Sequence, residues 1–148
     1  MTCKEKYLNF SNTSKYLSSI SLLLARFAVA NGFYEPAIQK WGNIDNVSQW
    51  FGSMGIPFPL LNTYIAATTE ILGVAFLTLG LFTRAISIPL IVIMIVAIFT
   101  VHIPNGFSAG DNGFEIPLYY MIFLLIFLSH GAGKFSLDNL ILKSKLSL

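Results

Sequence analysis

Arg26 and Glu70 are ionisable residues set inside stretches that are otherwise apolar over the length of a membrane span. A charge at the centre of a bilayer costs roughly 2.5 to 3.5 kcal/mol on insertion scales, so it persists where it is paired or functional. Opposite signs at similar depth predict an Arg26 to Glu70 ion pair facing the interior of a helix bundle. Such a pair has two readings: a device that fixes helix register, or a polar centre for a substrate, a proton or a quinone headgroup. Thr63, Ala66, Ala67 and Gly73 share the helical face of Glu70. Small residues there let another helix come close.

A second group gathers towards one end of the same stretches: Tyr34, Glu35, Lys40, His102, Glu115, Tyr119 and Tyr120. It is expected either to meet a ligand or partner, or to anchor helix ends as interfacial charges and aromatics do. Within it, His102, Glu35 and Glu115 combine imidazole with carboxylate, which suits several divalent ions. Their spacing matches no recognised ligand motif.

Other chemistries are excluded by residue type. Cys3 is the only cysteine, which rules out an internal disulfide relay or a thiolate-bound iron and sulfur cluster within one chain. His102 and His130 fall at opposite ends of the bundle, about 30 Å apart in depth, too far to share one haem or metal. The glycines are scattered through turns and helix faces, and no phosphate-binding loop or dinucleotide fingerprint appears. The chain carries no self-contained catalytic motif.

The elements that position these residues are membrane helices. Of 148 residues, 55% are hydrophobic and 11% charged, against about 25% charged in ordinary soluble domains. One membrane domain over residues 1–148 fits this length and leaves no room for a useful soluble domain. Windows of about 20 residues, enough to cross roughly 30 Å of hydrocarbon, predict four spans at about 16–35, 60–81, 85–102 and 116–131. Lys4, Lys6, Lys15, Arg84, Lys134, Lys143 and Lys145 fall on one side of these spans, whereas the opposite loops hold Lys40 and four acids. Both termini are therefore expected in the cytoplasm. The result is an all-α integral membrane four-helix bundle.

Lys15, the apolar run from Leu17 and Ala28-Val29-Ala30 imitate a signal peptide, but Arg26 and the long polar lead argue for a retained span. Gly80 suits the end of span two, and Thr83 suits a cap opening span three. Pro89 and Pro117 are expected to shape helices. Val47, Trp50, Phe51 and Met54 recur at the spacing of one helical face, which predicts either a short interfacial helix or a loop folded over the bundle mouth. Phe135, Leu137, Leu140 and Ile141 alternate with charges after span four, as in a helix lying on anionic lipid rather than on nucleic acid.

An arginine in span one, then Gly32-Phe33 and Lys40, Glu70-Ile71-Leu72-Gly73, Leu79-Gly80-Leu81-Phe82-Thr83-Arg84, and Gly131-Ala132-Gly133-Lys134-Phe135-Ser136-Leu137-Asp138 follow one another in this order. In that order and spacing the chain resembles the DoxX family from about Leu22 to Asp138. Gly32-Phe33-Tyr34-Glu35-Pro36, Gly55-Ile56-Pro57 and Asn112-Gly113-Phe114-Glu115-Ile116-Pro117 resemble a branch associated with copper-binding peptide maturation clusters. Val74 stands where many relatives have a second glycine, and Ala132 replaces a common proline.

The resemblance implies a four-helix protein of the bacterial inner membrane, and it links some relatives to quinone-coupled or thiol-redox complexes. It implies an accessory subunit of a membrane redox or copper-peptide maturation system, with a membrane or periplasmic protein partner. Quinone is the cofactor this favours, and copper the other. A small transporter or metal-handling protein, and a scaffold without chemistry, are the rival readings.

Overall fold

The computed structural model describes residues 3–146, with side chains placed at residue 14 and from 17 to 142. The side chains of Cys3, Lys4, Lys6, Lys15, Lys143 and Lys145 lie outside the described residues. All regular structure among the described residues is helical.

Helix α1 runs unbroken from Cys3 to Gly42, through Pro36. The apolar window ends this span at about residue 35, yet the helix carries on past it, although an interior proline removes one donor and crowds the preceding turn. The helix continues because Phe33 and Ala37, on either side of the proline, are both buried. In membrane helices such packing tolerates a proline. Helix α2, Ile44–Ser53, settles the two readings of this segment for a short helix rather than a loop, and it packs on α3.

Helix α3, Pro59–Leu79, opens on a proline whose missing donor costs nothing in the first turn, and it closes at Gly80 in the left-handed conformation, φ 66°. Helix α4, Thr83–Ala97, is prolonged by a π turn at Ile98–His102 and a 3-10 turn at Ile103–Asn105. Helix α5 is Glu115–His130 and helix α6 is Leu137–Leu146.

Among the described residues, three stretches are long and apolar enough to cross a membrane: Leu17–Gly42, Pro59–Leu79 and Thr83–Asn105. Helix α5 is equally apolar but has 16 residues, about 24 Å at 1.5 Å per residue. Helix α1 packs along α3, α3 on α4, and α4 along α5. Val29 and Phe33 of α1, Leu77 of α3, Leu90 of α4, and Leu124 and Phe127 of α5 meet in the core.

The buried face of α3 is Thr63, Ala67, Glu70, Gly73 and Leu77, the small-residue face expected from sequence. A β-carbon at Gly73 would fall 2.9 Å from both terminal carbons of Leu90, so the Leu90 side chain sits against α3 here in the space that a larger residue would take. The outer surface is apolar too, with Ile65, Leu72, Val92, Phe99 and Ile122 exposed. That surface suits hydrocarbon rather than water.

Candidate functional site

Glu70 pairs with Lys40. The Lys40 Nζ donates to Glu70 Oε1 at 3.0 Å and to Oε2 at 2.8 Å. The pair lies between α1 and α3, with side-chain exposures of 18% for Lys40 and 3% for Glu70. Thr63, Ala67 and Ala37 close the surroundings without exposure, and the ring of Trp41 meets that of Tyr64 edge to face. An ammonium carries three donors. Glu70 takes two, so the third is available to an acceptor arriving on the open side of Lys40.

Arg26 has a different task. Its Nη1 donates to the Leu77 carbonyl at 3.0 Å and its Nη2 to the Phe135 carbonyl. Leu77 belongs to the last turn of α3, where its carbonyl otherwise accepts only a long bond of 3.3 Å from the Gly80 N–H and the helix dipole favours a cation. The guanidinium thus ties the end of α3 to the segment between α5 and α6. A β-carbon at Gly80 would collide with the guanidinium and with Ser136, which explains a glycine there beyond its positive φ.

Asp138 completes this knot. Its backbone N–H donates to the Gly80 carbonyl at 3.0 Å, while its carboxylate accepts from the N–H of Phe82 at 2.8 Å and of Thr83 at 3.1 Å. The cap of α4 therefore comes from 55 residues away in the chain, not from Thr83. Thr83 is the first helical residue, and its hydroxyl is buried without a partner among the described residues. Asp138→Ala is expected to cost about 0.5 to 2 kcal/mol, the usual loss for an N-cap. Thermal unfolding in mild detergent measures it, with Asp138→Asn retaining most of the stability.

The expected Arg26 to Glu70 pair does not form, and side-chain direction explains why. Helices α1 and α3 are antiparallel, since Lys40 meets Glu70 while Arg26 meets Leu77. Side chains on a helix lean towards its N-terminus. Lys40 and Glu70 therefore lean towards each other, and Arg26 and Glu70 lean apart. Helix α1 also continues to Gly42, which moves the middle of this span away from Arg26. The two cations sit about four turns apart on α1, roughly 21 Å, so one carboxylate cannot serve both.

The other residues of the outer group find separate partners. Glu35 accepts from Gln39 Nε2 at 3.0 Å. His102 Nδ1 lies 2.8 Å from the Asn112 carbonyl. Glu115 accepts from the Ala109 N–H at 3.0 Å and from the Tyr119 hydroxyl at 3.1 Å, which makes it a fastener for the loop before α5. Tyr120 packs against Phe33 and occupies the space that a β-carbon at Gly32 would need. Tyr34 is exposed on α1. Among the described residues no three of His, Cys, Asp and Glu come together as a metal could require, and His102, Glu35 and Glu115 are no exception. Backbone groups and neighbouring side chains have claimed these ligands one by one.

Comparison with known proteins adds the following. A family model described as DoxX matches residues 21–103. An uncharacterized protein of Haemophilus influenzae (strain ATCC 51907 / DSM 11121 / KW20 / Rd) is 36% identical over 85% of this chain and 86% of its own length. The "Putative oxidoreductase CatD" of Bacillus subtilis (strain 168) is 28% identical over 85% of this chain and 90% of its own. The "Inner membrane protein YphA" of Escherichia coli (strain K12) is 32% identical over 52% of this chain and 59% of its own. No solved structure matches.

Proposed function

Since this chain belongs to the DoxX family of membrane proteins, we propose that it is an accessory subunit of a redox system in the bacterial inner membrane, and that Lys40 and Glu70 form its quinone-binding centre. Residues 1–148 act as one multi-pass domain of four spans, α5 being the fourth. Both termini lie in the cytoplasm, beside Arg84 and Lys134, and the Lys40 end of α1 faces the opposite side. This places the acidic loops outside and the basic segments inside.

One observation carries the reading: a buried carboxylate and a partly open ammonium, bonded to each other between two membrane-spanning helices, with one ammonium donor left over. A charge pair in that location is a functional-site hypothesis by default. Lys40 can donate to a headgroup oxygen, and Glu70 can hold or release a proton beside it. A quinone supplies the two-electron, two-proton couple when bound. The only cysteine is Cys3, so the electrons come from a bound cofactor or a partner protein rather than from a thiol relay within the chain. The name of the Bacillus subtilis relative agrees with a redox setting. Copper handling draws no comparable support, because the three residues that would hold the ion are engaged separately.

Quinone content after gentle purification, alone and with co-purifying partners, tests this. Native protein is expected to retain quinone or exchange electrons with added quinone. Lys40→Met is expected to weaken binding by about tenfold or more, the worth of one charge-assisted hydrogen bond. Native preparations that hold no quinone and are inert to it contradict the reading.

A further inference from the structure

Helix α1 carries a second pattern that the Lys40 and Glu70 site does not use. Leu24, Phe27, Asn31, Tyr34, Ile38 and Trp41 alternate at steps of three and four, and all are exposed. The same spacing extends back through Ile20 and Leu17, also exposed. This is the spacing of the a and d positions of a coiled coil, kept along the whole span. It runs along a different face from Arg26, Phe33, Ala37 and Lys40, which pack inside the bundle.

Exposed apolar residues alone are ordinary in a membrane protein. Asn31 is not. It lies near the middle of the Leu17–Gly42 span, exposed, and its amide meets no hydrogen-bond partner among the described residues. Ser21, Thr78 and Ser87, also within spans, satisfy their hydroxyls on the carbonyl four residues earlier. Beside Asn31 lies a groove of about 210 Å³ between α1 and α3, walled by Phe27, Ala30, Tyr34, Val74 and Thr78. An amide in hydrocarbon calls for a partner that both donates and accepts.

We infer that this face of α1 docks a second copy of the chain, forming a parallel α1 to α1 pair in which the two Asn31 amides bond to each other. Three features select a second copy over a foreign helix. The seam is complementary to itself, since every a position faces its equivalent in a parallel pair. Copies of one chain insert with the same topology, so their α1 helices are parallel and related by a two-fold axis along the membrane normal. Asparagine at a single a position is the device that fixes register in such pairs, and its amide both donates and accepts.

Cysteine cross-linking in native membranes tests this in the full chain, with Cys3→Ser as background. Leu24→Cys and Ile38→Cys are expected to give disulfide-linked dimers. Val92→Cys and Ile122→Cys, equally open to lipid on α4 and α5, are expected to give none. Energy transfer between labelled copies, diluted with lipid, is expected to show association about tenfold weaker in Asn31→Leu, with Asn31→Gln close to native. Equal cross-linking at all four positions, none at the seam, seam cross-links only to another protein, or an Asn31→Leu dimer as strong as native would each overturn the inference.

Discussion

Arg26→Met should loosen one end of the bundle and leave the other intact. The substitution keeps the length of the side chain but removes the donors to the Leu77 and Phe135 carbonyls. Hydrogen bonds to a charged group are worth about 1.5 to 3 kcal/mol each, so the expected loss is about 3 to 6 kcal/mol. Arg26→Lys should recover little, because an ammonium on a shorter arm replaces a planar fork that reaches two carbonyls at once. Hydrogen exchange would locate the damage: faster exchange at Leu81–Arg84 and across 131–139, with α2 and the first turns of α3 unchanged. Uniform loosening would mean that Arg26 is not a local clamp.

The second large effect is an asymmetry between the partners of the buried pair. Lys40→Met leaves the Glu70 carboxylate at 3% exposure with no other side-chain donor among the described residues, and breaking a buried pair from one side costs about 3 to 5 kcal/mol. Glu70→Gln should cost less, because Lys40 keeps an amide oxygen and can extend its ammonium towards the nearer bundle end. The double variant Lys40→Met with Glu70→Gln should regain most of the native stability, as neutral replacements of buried pairs commonly do. Its quinone binding should stay lost. Stability and binding thereby separate: a purely structural pair would show no binding defect once stability returned. Unfolding in mixed detergent micelles and quinone retention, measured on the same four proteins, read both quantities.

The helices were legible from residue types, because long apolar stretches punctuated by Gly80, Pro59 and Pro117 leave little choice of element. The buried face of α3 was legible as well, from small residues at helical spacing. Lys40 and Glu70 were both visible as candidate residues, yet their partnership was not, since a depth estimate from Cα positions ignores the lean of long side chains. In antiparallel helices that lean decides which of two cations reaches a carboxylate. Asp138 was hidden for a different reason. Its role depends on a contact across 55 residues, and nothing local marks an aspartate at the start of α6 as the cap of α4. The motifs that carry the family resemblance around Arg26, Gly80 and Asp138 make sense only together: they are the pieces of one knot.

The central claim is that the two buried charges of α1 and α3 are not partners: Arg26 fastens the fold, and Lys40 holds Glu70. Paired charge exchange tests it most directly. Lys40→Glu with Glu70→Lys should fold and accumulate in the membrane far better than either single change. Arg26→Glu with Glu70→Arg should be no better than the worse of its singles. Rescue by the Arg26 exchange, with none by the Lys40 exchange, would contradict the account.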